Sequence, residues 1–369
     1  MTAPLLLRLE AALRETNDPA AKAEIVAQMA SYKARVGEFA DAESLRQQLR
    51  EHFGGGQYGR VSIRLMALDA LLLYYRELSP NARDRMLRAN LIASALRIRD
   101  LRALTASWLA HIDFNLNRFT EMAKWLAECF DNLEPDDSSS RLRASLVLGD
   151  AFQFADMEPE ARRWYEQGRR LASEQGDQAA FGAITYNRAA LHVTTGRLRQ
   201  RMDGALSPGA LALIDCEVRS AVNYQLSAGL RSLDHLLTTI SIGASVLNEN
   251  WSVAAGAVNA LKASGAVAGG TGPMTLLVAD EALCVAKTGT RAEALSLLAA
   301  AESLPFSACP SDDRALAYWS LARAQETLGN RESQLQFEDL ARVSMDEHQM
   351  VVGSLRELLG PYRVDPEPQ

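Results

Sequence analysis

The chain has little lysine, few aromatic residues and no long apolar run. Its 39 basic residues include only the lysines at positions 22, 33, 124, 262 and 287, so arginine carries nearly all of the positive charge. Such arginine usage is typical of a GC-rich genome and favours a bacterial source. No segment offers the ~20 unbroken apolar residues of a membrane span, so we expect no membrane partner. The first residues also lack the apolar core of a secretion signal, which predicts a cytoplasmic protein.

The charge and the cysteines exclude further classes. The formal net charge is -7, and no basic footprint of the kind that nucleic-acid binding needs is visible, so we expect no nucleic-acid partner. The four cysteines, Cys129, Cys216, Cys284 and Cys309, lie far apart and form no metal-binding or redox spacing. We therefore interpret them as free thiols that serve as small apolar residues.

Catalytic and cofactor motifs are also lacking. Two glycine-rich stretches, residues 53–60 and 266–273, do not follow a strand and contain no GK[ST], so they are predicted to be loops and not phosphate-binding sites. The five histidines form no HExxH, and no GxSxG elbow occurs. These absences predict a non-enzymatic protein without a metal or cofactor.

What the chain does have is helical periodicity with an internal repeat. Apolar residues recur three and four positions apart almost everywhere, and alternation of the strand type never persists. The clearest repeat unit is residues 142–173, LRASLVLGDAFQFADMEPEARRWYEQGRRLAS. In it Gly149 and Phe152 precede a turn at 156–159, and Ala161 and Tyr165 follow it. This pattern resembles the tetratricopeptide repeat (TPR), in which small residues allow two antiparallel helices to approach closely.

Related turns divide the rest of the chain into hairpins. They are predicted at Gly37, at 79–81, near Asn117, at 195–196, at 248–250, at Gly289 and at Gly329. With the unit at 142–173 they give about eight helical hairpins spaced about 40 residues apart, more than the ~34 of a standard TPR. The resemblance implies an all-α fold, an α-α superhelix of the TPR-like solenoid type. We expect a single domain over residues 1–362 and a disordered tail at 363–369.

The resemblance also implies a binding surface, because the first helices of TPR hairpins line a concave groove. Matching side chains on these helices are the candidate peptide- or partner-binding residues: Trp108, His111, Asn115, Arg143, Asp150, Tyr186, Asn187, Trp319 and Arg323. Aromatic rings beside Asn, Arg and His suit a peptide, since they combine apolar anchors with hydrogen-bond donors. The competing interpretation is that Trp108 and Trp319 only pack between helices. The lysines of the carboxylate clamp known from TPR chaperone cofactors are absent here.

Three functional hypotheses follow. The leading one is a cytoplasmic TPR-like scaffold that holds a protein or peptide in its concave groove. The alternative is a ligand- or peptide-sensing regulatory module that acts with a separate output protein. An enzyme built on a helical solenoid is the least supported, since no site chemistry favours it. A homo-oligomer remains open in each case.

Overall fold

The chain is all-helical throughout the part described by the computed structural model, residues 3–53, 59–265 and 271–363 of the 369. These residues form 17 α-helices and contain no β-strand. The helices are α1 Pro4–Glu15, α2 Pro19–Val36, α3 Phe39–Phe53, α4 Gly59–Glu77, α5 Asn81–Ala95, α6 Arg99–Asn115, α7 Phe119–Asn132, α8 Ser138–Phe154, α9 Glu158–Gln175, α10 Gln178–Met202, α11 Pro208–Ala228, α12 Asp234–Leu247, α13 Trp251–Ala263, α14 Thr271–Thr288, α15 Arg291–Glu302, α16 Ser311–Thr327 and α17 Arg331–Leu358.

After α1 the helices follow one another as eight consecutive pairs, α2–α3 to α16–α17. The two helices pack on each other in the pairs α2–α3, α4–α5, α6–α7, α8–α9, α12–α13 and α14–α15. Along the chain, first helices also pack on first helices, as in α2 with α4, α6 with α8 and α14 with α16. The predicted all-α superhelical fold with about eight hairpins is therefore confirmed.

Helix ends follow local sequence signals. At the start of α2 the Asp18 side chain accepts hydrogen bonds from the backbone amides of Ala20 and Ala21, and Pro19 occupies the first helical position. The helix ends at Gly37, whose φ of 90° is in the left-handed region that favours glycine. Because Glu38 N then donates to Lys33 O at 2.9 Å, the last turn closes as a Schellman motif.

The same turn recurs without glycine. Arg97, Asn117, Asp156 and Glu249 all have φ between 56° and 58°, and each follows a first or second helix of a hairpin. In each case the next backbone amide donates to the carbonyl five residues earlier, for example Met157 N to Phe152 O at 2.9 Å. The repeated hairpin is thus built by one backbone turn that several residue types adopt.

One predicted turn is wrong. Residues 195–196 lie inside α10, which continues to Met202, and the break follows at residues 203–207. Gly196 is there for close packing, because a Cβ at this position would lie 2.7 Å from Ile214 Cδ1. The turns at Gly37, 79–81, 248–250, Gly289 and Gly329 are between helices as predicted.

Both glycine-rich stretches fall partly outside the described residues, which exclude 54–58 and 266–270. The expected loops end earlier than predicted, since α4 already begins at Gly59 and α14 at Thr271. The predicted disordered tail lies outside the described residues from position 364 onwards.

The described residues group into two compact units. The first unit comprises Met1–Thr185, Tyr224–Leu233 and Leu355–Gln369, and the second comprises Tyr186–Asn223 and Asp234–Ser354. In both units small residues fill the helix contacts, with Ala27, Ala30 and Ala106 in the first and Ala282 and Ala317 in the second fully buried. None of the described helices combines the length and the apolar character that crossing a membrane requires.

Candidate functional site

The first unit contains a groove lined by its first helices. The cavity in it has a volume of about 180 Å³, and residues of α1, α2, α4, α6, α8 and the end of α9 line it. Lining residues on three of these helices are spaced three and four apart: Gln28, Ser31 and Arg35 on α2, Arg64, Ala67 and Leu71 on α4, and Leu101, Leu104 and Trp108 on α6. This spacing places them on one face of each helix. We call this surface the inner groove.

Helix α1 contributes the wall beside the end of α9. Leu5 and Leu9 line the inner groove, and Leu5 N donates to Gly176 O at 3.3 Å. Gly176 has a φ of 67°, and a Cβ there would lie 2.6 Å from Pro4 Cβ. A glycine at this position is therefore required by both the backbone conformation and the approach of α1.

Two of the three arginines in the inner groove are already paired. Arg35 donates to both carboxylate oxygens of Asp177, at 3.1 and 2.8 Å, and both side chains are largely buried. Arg64 Nε donates to Glu24 Oε2 at 3.0 Å. These pairs neutralise their own charge and fix the side chains to the walls.

The third arginine, Arg143 on α8, is stacked but not paired. Its guanidinium carbon lies 3.7 Å from the centroid of the Trp108 ring, and only 3% of the residue is exposed. Among the described residues, Nη1 of Arg143 is fully buried and has no hydrogen-bond partner, and no carboxylate is within ion-pair distance of this side chain. Burial therefore lowers the pKa of Arg143 from its ordinary value.

His111 lies one turn beyond Trp108 and is also buried. Its Nε2 is 3.1 Å from Tyr74 Oη and 3.4 Å from Asn115 Nδ2, and its ring meets Trp108 edge-on with centroids 5.7 Å apart. Burial, with a smaller effect from the nearby Arg143 charge, holds the pKa of His111 well below 6.5. Asn115 is exposed and ties Tyr74 to the end of α6. His111 thus supports the Trp108 ring and does not line the inner groove.

Asp150 lies inside the α8–α9 hairpin. It is fully buried, and Oδ1 accepts a hydrogen bond from Tyr165 Oη at 2.8 Å. The sequence analysis placed Asp150 on the groove. In the structure, residue 150 lies instead on the side of α8 that packs on α9.

The other candidate residues belong to the second unit. Tyr186 is half-buried and packs against a cluster that includes Ala189 and Val193, and burial raises its pKa above the ordinary value; Asn187 is also half-buried. Trp319 packs against Leu198 and Leu316 and borders a separate open cavity of about 430 Å³.

Arg323 borders that same cavity in the second unit. Its Nη1 donates to Glu249 Oε1 at 3.1 Å, and its guanidinium carbon lies 5.7 Å from the Trp251 ring centroid. Of the nine candidates, the structure therefore brings only Trp108 and Arg143 together in the inner groove.

The sequence analysis missed several groove residues. Gln28, Arg35 and Arg64 lie on first helices at the same spacing as Trp108, so extending the helical stripe to α2 and α4 would have found them. Asp177 carries no such signal, since it follows α9 and reaches the groove through its pair with Arg35.

The comparisons with known proteins do not assign the chain to a family. No profile of a known protein family matches the sequence, and no curated protein matches it significantly. Within the described ranges, no three His, Cys, Asp or Glu side chains come together in a way that could hold a metal ion. The fold therefore defines the class only as an all-helical protein of consecutive hairpins, and the inner groove is the candidate site of its first unit.

Proposed function

We propose that the chain is a non-enzymatic, peptide- or protein-binding scaffold of the TPR-like type that acts in a bacterial cytoplasm. The observation that carries the proposal is the inner groove, to which α2, α4, α6 and α8 each contribute lining residues. Neighbouring helices lie about 8–10 Å apart, so four of them span about 24–30 Å. At about 3.3 Å per residue, about seven to nine residues of extended peptide cover this distance.

The side chains of the inner groove suit such a ligand. Leu71, Leu101 and Leu104 provide apolar contacts, while Gln28 and Ser31 offer polar groups to a peptide backbone. The cavity of about 180 Å³ is smaller than the ~300–1,000 Å³ of typical small-molecule pockets. This size favours a chain segment lying across the surface over a small molecule enclosed in it.

The proposal is tested with an array of randomised nonapeptides probed with the full chain, followed by fluorescence anisotropy on the peptides that bind. Gln28→Trp places a large ring in the inner groove and should abolish binding. Gln48→Trp makes the same change at an exposed position of α3, outside the groove, and should bind like the parent. Both variants should keep the parent's circular dichroism spectrum.

Two outcomes would overturn the proposal: no nonapeptide binds to the parent, or Gln28→Trp binds as tightly as Gln48→Trp. Hydrogen exchange of the peptide complex then separates scaffold from regulatory module. Protection confined to the inner groove is expected of a scaffold. Slower exchange spread over helices outside the groove would instead favour a sensing module that passes the signal to an output protein.

A further inference from the structure

Resting on the proposed peptide-binding function, we propose that Arg143 and Trp108 form the subsite that receives a carboxylate of the bound peptide. The carboxylate is either the C-terminal group or the side chain of Asp or Glu. This assigns a negative charge to the part of the peptide that lies at the subsite.

The argument begins with the hydrogen-bonding state of Arg143. Nη1 of its guanidinium has no hydrogen-bond partner in the part of the chain that the structure describes, although only 3% of the residue is exposed. Buried charges in folded proteins are nearly always paired, because an unpaired one has lost its hydration without compensation. A bound carboxylate would supply the missing partner.

The stacking on Trp108 leaves the guanidinium ready for this partner. The ring centroid lies 3.7 Å from the guanidinium carbon and covers one face of the planar group. The N–H donors of arginine lie in that plane, so a stacked guanidinium can still donate two parallel hydrogen bonds to a carboxylate. Trp108, held in turn by His111 and Tyr75, fixes the guanidinium before the ligand arrives.

The remaining charges of the inner groove favour a monoanion over a phosphate. Arg35 and Arg64 are paired with Asp177 and Glu24, so Arg143 is the one groove arginine left for a ligand among the described residues. Asp137 also lines the groove and would repel a second negative charge, whereas Asp100, which lines it too, is paired with Arg60. A single unpaired cation with neutral or acidic neighbours matches the single negative charge of a carboxylate.

The experiment compares two pools of randomised nonapeptides, one ending in a free carboxylate and one in a carboxamide, on the full-length parent chain. The best binders are then remade with each Glu changed to Gln and each Asp to Asn, which separates a C-terminal carboxylate from a side-chain one. Removing the carboxylate that occupies the subsite should weaken binding about 10- to 100-fold. Because this comparison uses the unaltered protein, it does not depend on how any variant folds.

Arg143→Gln should remove the preference for the carboxylate, and Arg141→Gln, on the same helix but outside the groove, should keep it. Peptides that bind the parent equally well with and without carboxylates would overturn the subsite while leaving the scaffold proposal intact. If no peptide binds, both proposals fail together. Stronger competition by inorganic phosphate than by acetate, at equal ionic strength, would also overturn the carboxylate assignment.

Discussion

The ring of Tyr165 on α9 packs directly against Gly149 on α8. A Cβ built on Gly149 would lie 2.6 Å from Tyr165 Cδ1, inside van der Waals contact. The ring cannot move aside at little cost, since Tyr165 is 1% exposed and its hydroxyl donates to the buried Asp150 at 2.8 Å. At Gly149, α8 and α9 therefore approach each other so closely that no side chain fits.

We expect Gly149→Ala to lower the free energy of unfolding by about 1–3 kcal/mol. The added methyl overpacks the hairpin, and the free-energy cost of this overpacking exceeds the gain from the better helix propensity of alanine. Urea unfolding followed by circular dichroism measures the change. Gly256→Ala is the matched control, since Gly256 also lies in a helix and a Cβ there meets nothing within 4 Å. The control should be neutral or stabilising by up to about 1 kcal/mol. Equal effects of the two substitutions would contradict the packing described here.

The contact between Tyr165 and Gly149 also shows which part of the α8–α9 packing the repeat pattern could predict. The small residues of the repeat, Gly149 before the turn and Ala161 after it, predicted where the two helices approach closely. The atoms that a Cβ on Gly149 would meet first are instead those of Tyr165, one helical turn later. Sequence spacing identifies which faces meet, but the axial offset of two helices depends on how all of their side chains interlock.

Asp280 and Arg197 form a buried ion pair in the second unit. Both guanidinium ends donate to the carboxylate, at 2.8 and 2.6 Å, and Ser320 Oγ donates to the same group at 2.7 Å. Asp280→Asn should destabilise the protein by about 3–5 kcal/mol, because it leaves the Arg197 charge buried without compensation. Thermal and urea unfolding measure the loss.

The control is the exposed pair of Asp215 and Arg219, four residues apart on α11. Asp215→Asn should change stability by no more than about 0.5 kcal/mol, since solvent screens such a pair. A comparable loss in the two variants would mean that burial does not set the strength of the Arg197 pair.

Arg143→Met should make the free protein more stable, by roughly 1–3 kcal/mol. The substitution removes a buried cation that has no partner, and this gain exceeds the loss of stacking on Trp108. Differential scanning calorimetry without ligand gives the comparison. If Arg143 served folding alone, Arg143→Met would lower the unfolding temperature. That result would argue for a structural role of Arg143.

The buried imidazole of His111 should make stability depend on pH. Its folded pKa lies well below 6.5, so the unfolded chain takes up the proton first as the pH falls. The contribution of His111 is therefore complete above about pH 6.5 and declines below it, by at most about 1.4 kcal/mol per pH unit.

His111→Gln tests this dependence by unfolding at pH 7.5 and pH 5. The variant should lose less stability between the two than the parent does. His52→Gln makes the same change at an exposed histidine and is the control for the substitution itself. Identical losses in parent and His111→Gln would contradict a neutral, buried His111.

The candidate site could be predicted only where its residues share a helical stripe. Trp108 and Arg143 were found because each lies on a first helix of a recognisable hairpin. Asp150 was assigned to the wrong side of α8, since residues three and four apart on a fully buried helix face more than one neighbour. Residue 150 belongs to such a helix, in which nearly every side chain is buried.

The sequence by itself determined the helical class, the number of hairpins and most of their turns. Apolar periodicity, caps such as Asp18 and the turn at Gly37 each depend on residues only a few positions apart. They can therefore be recognised in the sequence. Only the tertiary structure decided which polar groups meet. Arg35 and Asp177 are 142 residues apart in the chain, and Arg143 stacks on Trp108 without gaining a carboxylate. Such pairings depend on how successive hairpins stack, and the packing offsets that set this stacking have no local signature in the sequence.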